Sequence, residues 1–373
     1  MKQEVNEGNK EEESAKGSSE NNDTLYNELF CLICADKDIV KREAFKILLS
    51  LIDNESMVAY IHKNEKKCLK ILISALNSNY ELVALQCLVN LSAHMPKELI
   101  QRNLIEIVFD ILKDEQETEA KGHTELYIML VANLSREKEG IYKILDIPEE
   151  KQEKQQTEEQ LAVSYYLNKL LHLFSKPIVT SSINKQVTDK YFFIVHVLIN
   201  VSSVKECAHF FKSVFLLNML SNQMLQEERC AAVLQCVLNL CVSEILHPYI
   251  FHEDCLLIPR ILSLVYTREK GGEMLTHSSV DTNQKGTNKG LVHHHILNMS
   301  TVLTTSMDIK NRVMILLRNL FTRDVAREKL RSYGIEHVLR NWLLHEKNTD
   351  ITSDVTHLVD MYTEITPGCV YIG

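Results

Sequence analysis

The feature that most constrains this 373-residue chain is a sentence it spells five times. ALQCLVNLS (84–92), IMLVANLSR (128–136), HVLINVSS (196–203), LQCVLNLC (234–241) and ILLRNLF (315–321) are each an apolar run with one asparagine near its end, followed by a polar break. Asn90, Asn133, Asn200, Asn239 and Asn319 are spaced by 43, 67, 39 and 80 residues. Spacings of 43 and 39 fit helical repeats of the armadillo or HEAT type, whose period is roughly 40–47 residues. The 67-residue gap reads as one unit plus an insertion, supplied by EEKQEKQQTEEQ (149–160). The 80-residue gap reads as two units, one with a weak asparagine signature, with a long loop inside it (267–290) that holds four of the eleven glycines.

A repeat of this kind has a physical rationale. One helical hairpin or triplet cannot bury its apolar face alone, and stacking on neighbours makes a continuous core. Runs such as YFFIVHVLINV (191–201) are apolar on nearly every side, which marks the helix before each break as the most buried of its unit. Only eleven glycines and six prolines interrupt the chain, in keeping with helix throughout. The breaks offer helix starts: Ser203 with Glu206 has capping-box spacing, Ser135 can cap REKEG, and Pro96 with Glu98 suits a first turn. The expected fold is all-α, an armadillo/HEAT-like superhelical repeat array of five to seven units. Residues 1–23 are expected to form a disordered acidic tail and 24–366 the repeat domain, with mobile insertions at 146–160 and 267–306 and a C-terminal tail at 367–373.

Charge and motifs narrow the function. The net charge is −9, of which residues 1–23 contribute −4 and 149–160 contribute −3, so no basic domain exists to neutralise phosphates and nucleic acid is not an expected partner. No secretory leader begins the chain and no run of 18 apolar residues occurs, so a membrane is not expected either. Ten cysteines without a disulfide-like or zinc-like framework suit the reducing cytosol or the nucleus. CLIC (31–34) lacks a second pair and reads as structural, and HHH (293–295) reads as a surface tract, because neighbours on a helix point about 100° apart. No G-x-S-x-G, Walker loop, H-E-x-x-H or G-x-G-x-x-G is present. The expectation is a monomeric protein that is not an enzyme and uses no metal or cofactor.

The asparagines admit two readings. In one, each amide ties a helix end to the next unit; in the other, the set forms a ladder that holds an extended peptide by its backbone. Armadillo transport adaptors use such a ladder with Trp one turn earlier. Here the residues four before each Asn are Gln86, Met129, His196, Gln235 and Ile315, so the aromatic pockets are missing. The residues singled out for partner binding are Asn133, Arg136, Asn200, Asn239 and Asn319. Arg136 is chosen because a guanidinium can make bidentate contacts with a client's carboxylate.

Read in order, the units resemble the eukaryotic Hgh family of armadillo-like proteins. The similarity rests on VANLSR (131–136), preceded by CLVNLS (87–92) and followed by VLINVSS (197–203), QCVLNLCVSEILHPYIF (235–251), LLIPRILSLV (256–265) and the C-terminal unit beginning IKNRVMILLRNLF (309–321). It spans roughly residues 25–360. The resemblance implies a cytosolic adaptor that assists folding of translation elongation factor two together with the cytosolic chaperonin. A peptide-binding armadillo scaffold in transport or signalling is the alternative.

Overall fold

The computed structural model describes residues 22–114, 122–147, 164–180, 187–268, 292–299 and 303–364. Two compact units divide between Val197 and Leu198, inside helix Ile194–Ser203. Among the described residues the fold is all-α apart from a two-residue antiparallel ribbon, Val179–Thr180 against Val187–Thr188.

The same triplet recurs in chain order. After an opening pair at 22–33 and Asp38–Leu51, the first repeat has helices Glu55–Lys63, Glu65–Ala75 and Glu81–Leu91. The second has Pro96–Gln101, Leu104–Leu112 and Thr124–Leu134. The third has Lys138–Ile144, Tyr165–Phe174 and Ile194–Ser203, and the fourth has a 3₁₀ segment Lys205–Phe211, Val214–Gln223 and Glu227–Val242. The fifth runs from His247–Ile250 through Leu257–Ser263 and a short helix His294–Met299 to Met307–Phe321. The last has Asp324–Ser332, Ile335–His345 and Thr349–Glu364.

Local chemistry sets these boundaries. Pro96 occupies the first turn of its helix, where a missing N–H costs nothing. Ser164, Ser213 and Ser306 accept the N–H of Leu167, Leu216 and Ile309 as N-caps. Asn103 (φ 58°) and Gly334 (φ 74°) stand in the left-handed region at the same place in their repeats, the turn into the second helix. At Gly140 a Cβ would stand 2.1 Å from the carbonyl oxygen of Leu134, so only glycine lets helix Lys138–Ile144 approach the end of Thr124–Leu134 this closely.

The third helix of each repeat carries the core. In Glu81–Leu91, Thr124–Leu134 and Glu227–Val242 nearly every apolar side chain is buried, as the all-round hydrophobic runs required. The closing helix differs. Ile351, Val355, Leu358 and Tyr362 form one buried stripe, leaving its other faces polar, which is how a stack of repeats ends in water.

Several expectations are corrected. Helix Glu227–Val242 packs directly on Met307–Phe321, so the 80-residue gap is one expanded unit and not two. Part of the expected 267–306 loop is ordered by neighbours. His294–Met299 packs on Leu257–Ser263, and Asn341 grips Thr267 through both its amide oxygen (2.8 Å) and nitrogen (3.0 Å). Thr304 N donates to Leu264 O (3.0 Å) and His293 N to Tyr333 O (3.2 Å). The serine caps at the breaks are not formed. Ser135 and Ser203 turn back to donate to the carbonyls of Ala132 (2.7 Å) and Asn200 (2.7 Å), because the helix behind offers an acceptor three residues away. Helix begins at residue 22, and Asp23 pairs with Lys63 at 2.6 Å, so the acidic tail ends slightly earlier than expected. The expected tail over 1–21, most of the 146–160 insertion and the 367–373 tail lie outside the described residues.

Candidate functional site

The asparagines are stitches. Asn133 Nδ2 donates to Ser92 Oγ (2.8 Å) and to the carbonyl of Val89 (3.4 Å) in the preceding repeat. Asn239 does the same two repeats on, to Ser202 Oγ (3.1 Å) and the carbonyl of Ile199 (3.2 Å). Each serine also donates to that same carbonyl, Ser92 to Val89 at 2.5 Å and Ser202 to Ile199 at 2.9 Å. The rule is N-x-S: the serine two residues after one asparagine receives the next asparagine.

The exceptions follow the sequence. In helix Asp38–Leu51 the serine position is Ile52, and Asn90 Nδ2 goes instead to Asp53 Oδ2 (3.1 Å). In Glu227–Val242 the position is Cys241, a poor acceptor. Asn319, on the helix that packs there, is half-buried and has no side-chain hydrogen bond among the described residues. Asn200 is half-buried on helix Ile194–Ser203.

This geometry bears on the peptide-ladder reading. An amide has two N–H donors and one oxygen. At Asn133 and Asn239 the two acceptors are hydrogen-bonded to each other and lie on one side of the amide nitrogen, so a single N–H is shared between them and is committed to the neighbouring repeat. Of the residues one turn earlier, Gln86 and Met129 are half-buried, Gln235 accepts from Arg312, and His196 and Ile315 are exposed. Asn133 and Arg136 lie in the first unit, and Asn200, Asn239 and Asn319 in the second. Arg136 is exposed, and its guanidinium has no hydrogen bond or ion pair among the described residues.

Sequence reading missed the stitch at the other end of the same helices. Glu81, in the first turn of Glu81–Leu91, is buried and accepts from Tyr127 Oη (2.9 Å), with His123 Nδ1 at 3.1 Å. Burial and then the hydrogen bond to Glu81 push the Tyr127 phenol far above its usual pKa, so it stays a donor. A single acid heading an apolar helix was the available signal.

CLIC also departs from expectation, since Cys31 and Cys34 are both exposed at the end of the first helix. Cys87, Cys236 and Cys241 are buried, and burial pushes each thiol up to about 12. Alkylation of the native protein at mildly alkaline pH should therefore modify Cys31 and Cys34 and spare these three until denaturant is added. Peptide mass mapping reads the result, and early modification of Cys236 would contradict this packing. Among the described residues no three His, Cys, Asp or Glu side chains are arranged to hold a metal. The rings of His293, His294 and His295 lie 4.0–5.2 Å apart but tilted face over face. No single described helix is long and apolar enough to cross a membrane.

The class defined by this arrangement is the armadillo-like helical repeat. A designed armadillo repeat protein superposes with a TM-score of 0.50 at 13% identity, over 79% of this chain and 99% of that one. A computationally designed armadillo repeat protein made for modular peptide recognition gives 0.39 at 11% identity, over 90% and 98%. A family model described as a domain of unknown function (DUF383) matches residues 116–275. No curated protein matches the chain.

Proposed function

We propose that the chain is a non-enzymatic scaffold that holds a protein client. On its resemblance to the Hgh family, we take the client to be translation elongation factor two and the partner machine to be the cytosolic chaperonin. The observation that carries the scaffold reading is the repeat construction. At Asn133, Asn239 and Glu81 polar groups of the inner helices join one repeat to the next, which points function to the exposed surface. The client's identity rests on the ordered motifs around VANLSR. A monomer working in the cytosol or nucleus fits this reading.

The mechanism is an equilibrium one. A scaffold that binds a folded client domain stabilises it by RT ln(1 + [L]/Kd), about 2.7 kcal/mol at a hundredfold excess over Kd. While bound, the client also keeps apolar surface from aggregating. The test is sedimentation of the purified full chain with purified elongation factor two, with chaperonin added in a second series. Co-sedimentation that Arg136→Glu weakens severalfold is expected, because reversing a rim charge repels a client acid. Independent sedimentation of the two proteins at micromolar concentrations would refute the client assignment.

A further inference from the structure

The second unit has a groove that the asparagine ladder does not use. It runs between the breaks of the last two repeats, residues 243–253 on one side and 322–333 on the other. Two adjoining cavities of about 690 and 520 Å³ share Pro248, Phe251 and Lys329, so they form one trough. Phe251 gives it an apolar floor, and the exposed Pro248 and Val325 stand at its edge.

Its polar groups are unevenly satisfied. Arg323 pairs through one terminal nitrogen with Glu244, yet its Nε–H is buried with no acceptor. Glu244 is 72% exposed, a loose partner at the rim. Lys329 is exposed and its ammonium has no partner among the described residues. The other rim acid, Asp324, pairs with Arg327 and is also well exposed. At the far end His252 and His293–His295 line the wall together with Glu253. With Arg327 counted, the end near Arg323 sets three basic groups against the two acids Glu244 and Asp324, above an apolar floor.

We propose that this groove receives an acidic segment of a protein partner, seating a carboxylate between Arg323 and Lys329 and an aliphatic or aromatic neighbour against Phe251 and Pro248. This deepens the scaffold reading and rests on it. A carboxylate there accepts from a terminal N–H of Arg323 and from the Lys329 ammonium, both charge-assisted bonds. Glu244, held only at the solvent edge, gives way to it.

The experiment uses the full-length protein on an array of 12-residue peptides with randomised flanks, half centred on Glu and half on Gln. Wild type is expected to retain Glu-centred members at least fivefold better, with aromatic or aliphatic flanks enriched. Lys329→Glu, a change at an exposed position, should abolish or reverse that preference with unchanged melting, and Arg323→Gln should reduce it. Equal retention of Glu- and Gln-centred peptides, no retention of either, or a preference that survives Lys329→Glu would overturn the proposal. If elongation factor two binds while the Glu preference is missing, the groove assignment fails and the scaffold reading stands. If Glu-centred peptides bind while elongation factor two does not, the groove assignment stands and the client assignment fails.

Discussion

Glu346→Ala should destabilise the second unit by about 3–5 kcal/mol, the cost of leaving a buried charge without its partner. Glu346 and Lys310 form an ion pair at 2.8 Å with side chains only 2% and 7% exposed. The carboxylate does more than neutralise one lysine. Trp342 Nε1 donates to it at 3.0 Å, as do the backbone N–H groups of Lys347 and Asn348, both at 3.0 Å. It thereby fixes the turn between Ile335–His345 and Thr349–Glu364 and ties both to Met307–Phe321. Glu346→Gln keeps an acceptor for the N–H groups but strands Lys310, so its cost should fall between wild type and alanine. Urea unfolding monitored through Trp342, the chain's one tryptophan, reads all three. A Gln variant as stable as wild type would show that the charge contributes nothing.

The pH dependence follows from the same contacts. Burial raises the Glu346 pKa, but the donors from Lys310, Asn348 and Trp342 outweigh it and hold the carboxyl below the usual glutamate value. The folded value is thus depressed below the unfolded value of about 4.3. The stabilisation is complete above the unfolded pKa and is lost as pH falls through the folded one. Wild type and Glu346→Ala should therefore differ fully at neutral pH and converge as pH drops below about 4.

What the sequence disclosed, and what it hid, divides along a physical line. Periodicity is local, so the all-round apolar helices and their 39- and 43-residue recurrence were readable, and with them the armadillo-like fold. Pairing across repeats is not local. Nothing within VLNLC says that the amide of Asn239 meets a serine 37 residues earlier, although N-x-S repeated at 90–92, 133–135 and 200–202 was a usable sign. The ion pair of Lys310 and Glu346 joins residues 36 apart, each looking like an ordinary surface charge. The 80-residue gap misled because a long segment between Val265 and Met307 mimics a second repeat in length alone. The groove near Arg323 arises where two breaks face each other, and breaks carry little pattern.

Asn133→Ala and Asn239→Ala should each cost about 1–2 kcal/mol, since each removes an N–H shared between a buried serine hydroxyl and a backbone carbonyl of the neighbouring repeat. The loss is moderated because Ser92 and Ser202 still satisfy the carbonyls of Val89 and Ile199. The two sites share no partners and fall in different compact units, so the double variant should lose about 2–4 kcal/mol by addition. Asn319→Ala is the internal control. Its amide makes no side-chain hydrogen bond among the described residues, so its removal should stay within about 0.5 kcal/mol. Ser202→Ala should resemble Asn239→Ala, and the two together should cost less than their sum, because they delete the same contact. The pattern separates a stitch from a peptide clamp. A clamp predicts that all of these alanines weaken partner binding while leaving denaturation curves in place. A stitch predicts that Asn133 and Asn239 move the curves, that Asn319 does not, and that binding changes only as far as folding does.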